Sequence, residues 1–189
     1  MKLRTLFFSL ILCLSVLGSA LAEEQGRKTL AAGETGLRVE VEGRGNILIL
    51  LHTKEAPRTT TKILNLVRSK FYDQLRVHRV EKSPKPFLVQ VGDPQSRSGN
   101  LDDAAMGRGG SGEKVAYEET NFPNSAGAVG LAASPTDRNS GDSQFYMLLG
   151  NATFLDGNYT VFGRVLSGMD VLQTMDKGDR IKSITVVTG

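Results

Sequence analysis

The sequence predicts a mainly β protein, built as a closed eight-stranded antiparallel β-barrel that is capped by two α-helices. About eight short runs rich in β-branched and aromatic residues are separated by glycine, proline and polar turn signals. Two stretches have helical periodicity, and they do not alternate with the strands as a βαβ fold requires. Closing an antiparallel sheet removes its exposed edges, so a barrel is the natural arrangement of these elements.

The N-terminal residues have the pattern of a secretory signal peptide. Lys2 and Arg4 precede an apolar run over residues 6–17, and Ala20-Leu21-Ala22 provides a small-residue cleavage site. The run is too short to span a bilayer. We expect an exported protein, located in the periplasm or cell envelope of a bacterium. The predicted segments are a signal peptide at 1–22, a polar lead-in at 23–36 and one folded domain at 37–189.

Composition limits both the source of stability and the kinds of partner. Cys13, the only cysteine, lies in the predicted signal peptide, so the processed chain would fold without a disulfide and depend on core burial. The formal net charge of +3 includes Lys2 and Arg4, and removing these two charges leaves about +1. No basic run or arginine-aromatic patch indicates a nucleic-acid partner. We expect no nucleic acid and, after signal cleavage, no membrane association.

The folded domain begins with a predicted hairpin and an amphipathic helix. Residues 37–41 alternate apolar and charged side chains, a glycine-bearing turn follows, and residues 47–51 are apolar. His52 comes at the strand end, where we expect a solvated edge residue. Thr53 is placed to cap a helix that has Pro57 in its first turn. One face of that helix carries the residues expected in the core: Ala56, Thr60, Ile63, Leu64, Val67 and Phe71.

The next predicted hairpin places a cation beside an amide. Residues 77–80 and 87–91 are predicted strands, and the loop between them contains Pro84 and Pro86, which lack amide donors. Alternation separates the second strand into two faces, Leu88 and Gln90 against Phe87, Val89 and Val91. If the strands pair, Arg79 and Gln90 can share one face. An arginine beside a glutamine and apolar side chains suggests a site that binds a neutral carbonyl group by hydrogen bonds and does not react with it as a nucleophile.

A polar, glycine-bearing segment covers residues 93–112. Its last six residues, Gly107 to Gly112, fit the dinucleotide pattern G-x-G-x-x-G by letter. No strand leads into this stretch and no helix follows it, so a pyrophosphate would lack a helix N-terminus, and a plain glycine loop is favoured. Asp102-Asp103 is expected to be a solvated turn rather than a metal pair, because no histidine or third carboxylate accompanies it.

The remaining elements follow in order. Residues 127–133 are small and apolar, which predicts a buried strand where another group approaches closely. Residues 143–148 and 161–165 are further predicted strands, and residues 181–187 form the last one. Between them, Met169, Leu172 and Met175 fall on one face of a second helix.

Several of these segments resemble the cyclophilin family of peptidyl-prolyl cis-trans isomerases. The resemblance covers roughly residues 37–187, which is nearly all of the processed chain. The motifs, in chain order, are His78-Arg79, Phe87-x-x-Gln90-x-Gly92-Asp93, the Gly-x-Gly-Gly at Gly107, the acidic stretch ending in Asn121-Phe122, Ser143-Gln144-Phe145-Tyr146, Phe154-Leu155-Asp156-Gly157 and Val161-Phe162-Gly163-Arg164-Val165.

The resemblance assigns a role to each matching position. It implies that Arg79 is the catalytic residue, that Gln90 bonds the substrate backbone, and that Ala132 and Ala133 contact the residue before proline. Gln144 would support that wall and Gly107 would flank the groove. The proline pocket would be lined by Phe87, Leu88, Tyr146, Phe154 and Leu155, with Tyr159 where many members have His.

The expected partners are proline-containing peptides and unfolded or folding proteins, with no cofactor and no metal, and the protein is expected to be a monomer. Phe154 replaces the tryptophan of many members, so the family's inhibitor cyclosporin should bind with weakened affinity because an indole N–H donor is missing. Ala133 stands where a polar side chain is usual, Val91 replaces a glycine, and the segment from Ala132 to Gln144 is slightly longer than usual.

The chemistry of such a site follows from the peptide bond. Rotation about it costs about 18–20 kcal/mol because resonance gives the C–N bond double-bond character. A catalyst needs to hold the twisted amide better than the planar one. In the twisted state the proline nitrogen regains a lone pair, which the always-charged guanidinium of Arg79 can meet with a hydrogen bond. An apolar socket for the proline ring strengthens that interaction by excluding water.

Two other functions are compatible with parts of the sequence, those of a holdase and of a serine hydrolase. A cyclophilin-like barrel could bind extended segments as a holdase through the same groove without catalysis. A serine hydrolase could use Ser143, which follows Gly141-Asp142, with His52 or His78 as base, although Gln144-Phe145 replaces the glycines of a tight nucleophile turn. His78 itself is expected to be a structural strand residue.

Overall fold

The computed structural model describes residues 27–85 and 87–189. The predicted signal peptide with Cys13, the first residues of the lead-in and Pro86 lie outside the described residues. The described chain forms one antiparallel sheet, in the spatial order β3-β4-β6-β5-β7-β2-β1-β8. Its strands are β1 (Thr35–Val41), β2 (Gly45–Leu51), β3 (Arg79–Glu81), β4 (Leu88–Val91), β5 (Ala128–Leu131), β6 (Phe145–Leu148), β7 (Val161–Ser167) and β8 (Ile181–Thr188).

Two helices accompany the sheet, α1 (Pro57–Arg68) and α2 (Met169–Thr174). The predicted fold class, mainly β with eight antiparallel strands and two helices, is confirmed. Neither helix, nor any other within the described part of the chain, is long and apolar enough to cross a membrane. Residues 27–34 form no helix or strand and lie against the end of β8, where the Gly33 amide donates to the Gly189 carbonyl at 3.3 Å.

The sheet curls until its two ends meet. Strands β3 and β8 are the last members of the hydrogen-bonded order. The segment just before β3 then bonds the start of β8 and the residues before it: the Val77 amide donates to the Asp179 carbonyl at 2.8 Å, and the Ile181 amide donates to the Leu75 carbonyl at 2.8 Å. Since these bonds satisfy backbone groups that an open edge would expose, the two ends of the curled sheet are joined by an irregular segment rather than by an eighth ladder.

The interior of the curl is the main hydrophobic core. Along β1 the side chains of Leu37, Val39 and Val41 point inward and are buried, while Arg38 between them is exposed. This is the period of two that predicted the strand. Helix α1 buries Ile63, Leu66 and Val67 against the same core. Leu66 lies deeper than the predicted Leu64, which is only partly buried, and Phe71 packs on the core beyond the end of the helix.

A second, smaller apolar cluster lies on the other face of the sheet. Its buried members are Leu88, Ala128, Tyr146, Leu148, Ala152 and Val161. In β4, Val89 and Val91 point into the main core while Leu88 points into this cluster, as strand alternation predicted. Phe87 does not follow that alternation. It precedes the first residue of β4 and packs with Leu88 in the small cluster, so the predicted opposite face for Phe87 is wrong.

The cap of helix α1 comes from a distant part of the chain. The N-cap position is Ala56, Pro57 is the first helical residue, and no nearby side chain caps the helix, so the predicted cap at Thr53 is wrong. Instead the buried carboxylate of Glu118 accepts hydrogen bonds from the Arg58 amide at 2.9 Å and the Thr59 amide at 2.8 Å. The Thr59 hydroxyl donates to it at 2.7 Å. The acidic stretch before Phe122 therefore satisfies the free amides of the helix N-terminus.

We expect the Glu118→Gln variant to lose about 1–3 kcal/mol of stability at neutral pH, because an amide cannot accept as many of these bonds. Burial alone would raise the pKa of Glu118, but the hydrogen bonds from Thr59 and Arg58 outweigh it and place the pKa below its ordinary value of 4.5. A depressed pKa means that this stabilisation is present above pH 4.5 and is lost as the pH falls through the folded value. Denaturant unfolding of both proteins across that range measures the difference.

The neighbouring Glu119 is exposed and provides a matched control. Glu119→Gln should change the free energy of unfolding by less than about 0.5 kcal/mol at any pH. A Glu118→Gln deficit that is as large at pH 3 as at pH 7 would contradict the carboxylate as the source of the stabilisation.

Candidate active site

A cavity of about 290 Å³ opens over the small apolar cluster. Strands β3, β4 and β6 supply one side of its lining, and the segments that follow β5 and precede β7 supply the other. Every predicted site residue except Gly107 and Gln144 lines it. The lining consists of Arg79, Phe87, Leu88, Gln90, Ala132, Ala133, Pro135, Tyr146, Phe154, Leu155 and Tyr159. Pro135 is the one lining residue that the sequence did not suggest, and the only signal for it was the lengthened segment before Gln144.

Arg79 lies at the mouth of this cavity. In the β3–β4 ladder it is directly opposite Gln90. Its Nε donates to Glu81 Oε1 at 3.1 Å and its Nη1 to Gln90 Oε1 at 3.3 Å, while about half of its side chain is exposed. A guanidinium has five N–H donors, so further donors remain for a ligand in the cavity. The pairing that the sequence predicted for Arg79 and Gln90 is confirmed.

A short relay of amides supports the arginine. Gln90 Nε2 donates to Gln144 Oε1 at 2.9 Å, and Gln144 Nε2 donates to the Gly109 carbonyl at 2.7 Å. Gln144 is buried and does not line this cavity. Because each amide is held at both ends, Gln90 presents fixed donor and acceptor positions beside Arg79.

The floor of the cavity is the ring of Tyr146. Gly130 lies opposite Tyr146 in the ladder between β5 and β6, and a Cβ at Gly130 would come within 2.2 Å of the tyrosine ring. This is the close approach that the small residues of β5 predicted. The buried hydroxyl of Tyr146 donates to Asn124 Oδ1 at 2.6 Å, and burial raises the pKa of that hydroxyl. Asn124 Nδ2 in turn donates to Asp156 Oδ1 at 2.8 Å, which ties the floor to the segment behind Phe154.

Tyr146→Phe should destabilise the fold by about 1–3 kcal/mol, because the buried Asn124 oxygen loses its donor. Turnover should stay within about threefold of wild type, because the ring that forms the floor remains. Chemical denaturation and a proline-isomerisation assay measure the two effects. The control is Tyr117→Phe, at a half-buried tyrosine that does not line this cavity. A large loss of turnover without a loss of stability would instead place the Tyr146 hydroxyl on the substrate.

Aromatic side chains form the rim. Phe87 and Phe154 have ring centroids 5.3 Å apart, and Tyr159 meets Tyr146 edge to face at 6.0 Å. Phe154 is 70% exposed and is the one large hydrophobic residue among the described residues with so open a position. An exposed ring at the edge of an apolar cavity is more typical of a binding surface than of a core.

A second cavity of about 450 Å³ adjoins the first and shares Gln90, Ala132, Ala133 and Pro135 with it. Its far side is the glycine loop of residues 107–110, so Gly107 flanks the adjoining cavity. The two predicted residues missing from the first cavity, Gly107 and Gln144, both line this one.

The glycine loop binds the chain's own carboxylates. Buried Asp93 accepts from the Gly107 amide at 2.7 Å and the Gly109 amide at 3.1 Å. Asp142 accepts from the Ser111 amide at 3.0 Å and the Gly112 amide at 2.9 Å. A Cβ at Gly109 would lie 2.4 Å from Asp93 Oδ1, so the glycine is needed for this approach. The amides that would cradle a phosphate are thus engaged internally, which supports the plain glycine loop.

The residues considered for a hydrolase are not arranged as one. Ser143 is fully buried, and its hydroxyl donates to the Gly92 carbonyl at 2.8 Å. His78 is buried next to the site, burial lowers its pKa, and neither ring nitrogen reaches a hydrogen-bond partner in the described part of the chain. His52 is buried and stacks on Phe122 at 3.7 Å, so the predicted solvated edge position is wrong. Burial lowers the pKa of His52 to about 4.

Over residues 27–85 and 87–189, no three His, Cys, Asp or Glu side chains are placed to hold a metal ion. Asp102 pairs with Lys177 at 2.6 Å on the surface. The geometry therefore offers an apolar socket, a cation with spare donors and a fixed amide. That set can bind a ring and stabilise charge on a neighbouring nitrogen or carbonyl.

Comparison with known proteins agrees with this geometry. The family described as cyclophilin type peptidyl-prolyl cis-trans isomerase matches residues 37–188. The chain belongs to the cyclophilin family. The predicted enzyme class, a peptidyl-prolyl cis-trans isomerase, is confirmed by this match and by the names of its relatives.

The relatives include proteins of bacteria and fungi. A peptidyl-prolyl cis-trans isomerase of Helicobacter pylori is 32% identical over 143 residues, which cover 75% of this chain and 80% of the relative. The isomerase ppi1 of Schizosaccharomyces pombe is 35% identical over 144 residues, covering 72% and 85% of the two chains. Both are similar to this cyclophilin over most of its domain. The finer prediction of a bacterial exported member is not decided by them.

Solved structures confirm the fold. A cyclophilin type isomerase of Cryptosporidium parvum superposes with a TM-score of 0.70 at 22% identity, covering 82% of this chain and 99% of that one. The same protein has been crystallised in the presence of the dipeptide Ala-Pro, with a TM-score of 0.69 at 24% identity and the same coverage. At these identities the likeness concerns the fold alone.

Proposed function

We propose that the processed chain accelerates rotation about X-Pro bonds in polypeptides that are folding after export. The observation that carries the proposal is the position of Arg79, which lies with spare donors at the mouth of a 290 Å³ apolar cavity. Its clients would be proline-containing peptides and unfolded or folding proteins.

The proposed mechanism stabilises the twisted amide without a covalent intermediate. The proline ring enters the cavity over Tyr146 and Leu88, and water is excluded from it. Arg79 donates a hydrogen bond to the proline nitrogen as its lone pair localises, an interaction that the planar amide cannot make. Gln90 holds the substrate backbone, and Ala132 and Ala133 offer backbone groups to the residue before proline. Uncatalysed X-Pro exchange takes on the order of tens to hundreds of seconds, so the rate of the catalysed reaction is readily distinguished from this background.

The site of action rests on the N-terminal sequence. A basic start, an apolar run and a small-residue cleavage site support export to a bacterial periplasm or cell envelope. Mass spectrometry of the protein from periplasmic and cytoplasmic fractions tests this: a chain cleaved after Ala22 in the periplasm supports it, and an intact N-terminus in the cytoplasm contradicts it. We also propose a monomer and weakened cyclosporin binding, the latter because Phe154 offers no indole donor.

The decisive experiment is a proline-isomerisation assay on residues 23–189 with an Ala-Pro tetrapeptide. Acceleration that is proportional to enzyme, saturates with peptide and is inhibited by a competing proline peptide supports the proposal. A holdase is the second candidate, favoured by the exposed ring of Phe154 and the adjoining cavity. If the chain binds peptide and suppresses client aggregation but does not accelerate isomerisation, its function is that of a holdase and not of an isomerase.

A further inference from the structure

The two cavities of the site are separated by a wall that belongs to this chain's lengthened segment. Gln90, Ala132, Ala133 and Pro135 line both cavities. Gln90 is fixed by Arg79 and Gln144, and the two alanines are small. The pyrrolidine ring of Pro135 is therefore the bulkiest apolar group at the partition, and it is exposed to a ligand that passes from one cavity to the other.

The segment that carries Pro135 is held by its own polar groups. The Ser134 amide donates to Ser140 Oγ at 2.7 Å, and Ser140 Oγ donates to the Asp137 carbonyl at 2.6 Å. The Asn139 amide donates to Asp137 Oδ1 at 3.0 Å. These bonds close residues 134–140 into a compact loop, and the fixed φ of proline limits how Pro135 can move within it.

Arg138 connects this loop to two neighbouring segments. Its guanidinium carbon lies 4.5 Å from the centroid of the Tyr117 ring. Its Nη1 donates to the Gly157 carbonyl at 3.5 Å, and Gly157 lies between Leu155 and Tyr159 on the opposite wall of the proline cavity. The Tyr117 amide donates to Asn139 Oδ1 at 3.0 Å from the same side. Arg138 thus links the partition to the facing wall.

We infer that Pro135 determines specificity for the residue before proline and that Arg138 is a positioning residue which holds Pro135 in place. The inference rests on the proposed function. With proline in the first cavity, the preceding residue lies along Ala132 and Ala133, and its side chain crosses the partition toward the second cavity. There the Pro135 ring contacts it. Large apolar side chains gain from this contact, and an alanine at that position is too short to reach it.

The test compares two peptides, Leu-Pro and Ala-Pro in the same tetrapeptide frame, with kcat and KM measured separately. Pro135→Ala should raise KM for the Leu-Pro peptide by about fourfold for each methylene that loses its contact, with kcat unchanged. KM for the Ala-Pro peptide should rise less, so the ratio of kcat/KM for Leu-Pro to that for Ala-Pro should fall. Arg138→Ala should shift the Leu-Pro KM in the same direction by roughly twofold to fivefold, the range of an exposed cation–π contact.

Two further variants separate positioning from folding. Arg138→Lys retains a cation over the Tyr117 ring and should restore most of the Leu-Pro preference. Arg97 is a matched control, because its Nη2 also donates to a backbone carbonyl, that of Phe71, and it lines neither cavity. Arg97→Ala should leave the ratio of the two peptides unchanged.

The outcomes are distinct from those of the proposed function. If wild type shows no isomerase activity on either peptide, the proposed function fails. The ratio compared is kcat/KM for the Leu-Pro peptide divided by kcat/KM for the Ala-Pro peptide. If wild type is active and Pro135→Ala has the same ratio as wild type, the inference about Pro135 is overturned. A ratio that rises also overturns it, because the ring would then exclude the side chain instead of binding it. A ratio that falls equally in Arg138→Ala and Arg97→Ala overturns the positioning role.

Discussion

Replacing Arg79 by alanine should lower kcat/KM for an Ala-Pro peptide by about 10²–10³-fold, the usual loss when one preorganised donor to a transition state is removed. The loss should appear in kcat, because the bond to the proline nitrogen forms only as the amide twists. Peptide binding should be retained to a large extent, since Tyr146, Leu88 and the rim still form the apolar cavity. An isomerisation assay paired with calorimetric peptide titration measures turnover and binding independently.

Stability should barely change in that variant. Arg79 is about half exposed, and its ion pair with Glu81 is a surface contact worth at most about 1 kcal/mol. The matched control is Arg38→Ala, at an exposed arginine in the middle of β1 that lines neither cavity. Arg38→Ala should behave as wild type, and Arg79→Lys should restore little because an ammonium lacks the planar fork of donors. Equal turnover by wild type and Arg79→Ala would remove the arginine from the mechanism and leave the holdase.

The elements that depend on local patterns were predictable from the sequence. The hairpin of β1 and β2 has an alternating strand, a glycine at φ +71° in its turn and an apolar return strand. Each of these signals lies within a few residues of the structure that it specifies. The pairing of Arg79 with Gln90 was predictable for the same reason, since a hairpin fixes which residues face each other.

The predictions that failed depended on distant segments. A nearby Thr53 suggested a cap for α1, but a carboxylate 60 positions away in the chain reaches the helix amides. His52 was expected to be solvated because it comes at the end of a strand, yet Phe122 covers its ring. Phe87 joins Leu88 because the strand begins after it. Periodicity describes a residue's own element and contains no information about what packs against it from elsewhere.

The role of the glycine loop also required the structure. The sequence showed six residues that match a nucleotide pattern and could argue only that the context was wrong. The structure shows what the amides bind instead, namely Asp93 and Asp142. The relay from Arg79 through Gln90 and Gln144 ends on the carbonyl of Gly109 in the same loop. The loop therefore belongs to the support of the site, and the carboxylate that holds it should matter for both stability and activity.

Asp93→Ala should destabilise the protein by about 3–5 kcal/mol, which is among the largest effects expected for a single substitution. Asp93 is fully buried, and its two oxygens accept from the Gly107, Gly109 and Gln95 amides. Removing the carboxylate leaves three backbone donors without an acceptor, and an unsatisfied donor costs about 1–3 kcal/mol where water cannot replace the bond. Asp93→Asn should be only partly tolerated, because either orientation of the amide points its NH₂ at a backbone N–H.

The loss of the Asp93 carboxylate should also weaken substrate binding at the active site. When the Gly109 segment is released, the Gly109 carbonyl no longer holds Gln144, and Gln90 loses its support beside Arg79. We therefore expect KM for a tetrapeptide to rise together with the loss of stability, and hydrogen exchange at the Gly107 and Gly109 amides to accelerate. Asp103 is the matched control, because it is exposed and accepts a single amide, that of Ala105, at 2.8 Å. Asp103→Ala should cost about 0.5–1 kcal/mol and leave KM unchanged. Equal unfolding free energies for the Asp93 and Asp103 variants, with unchanged exchange at Gly107 and Gly109, would refute the link between this carboxylate and the site.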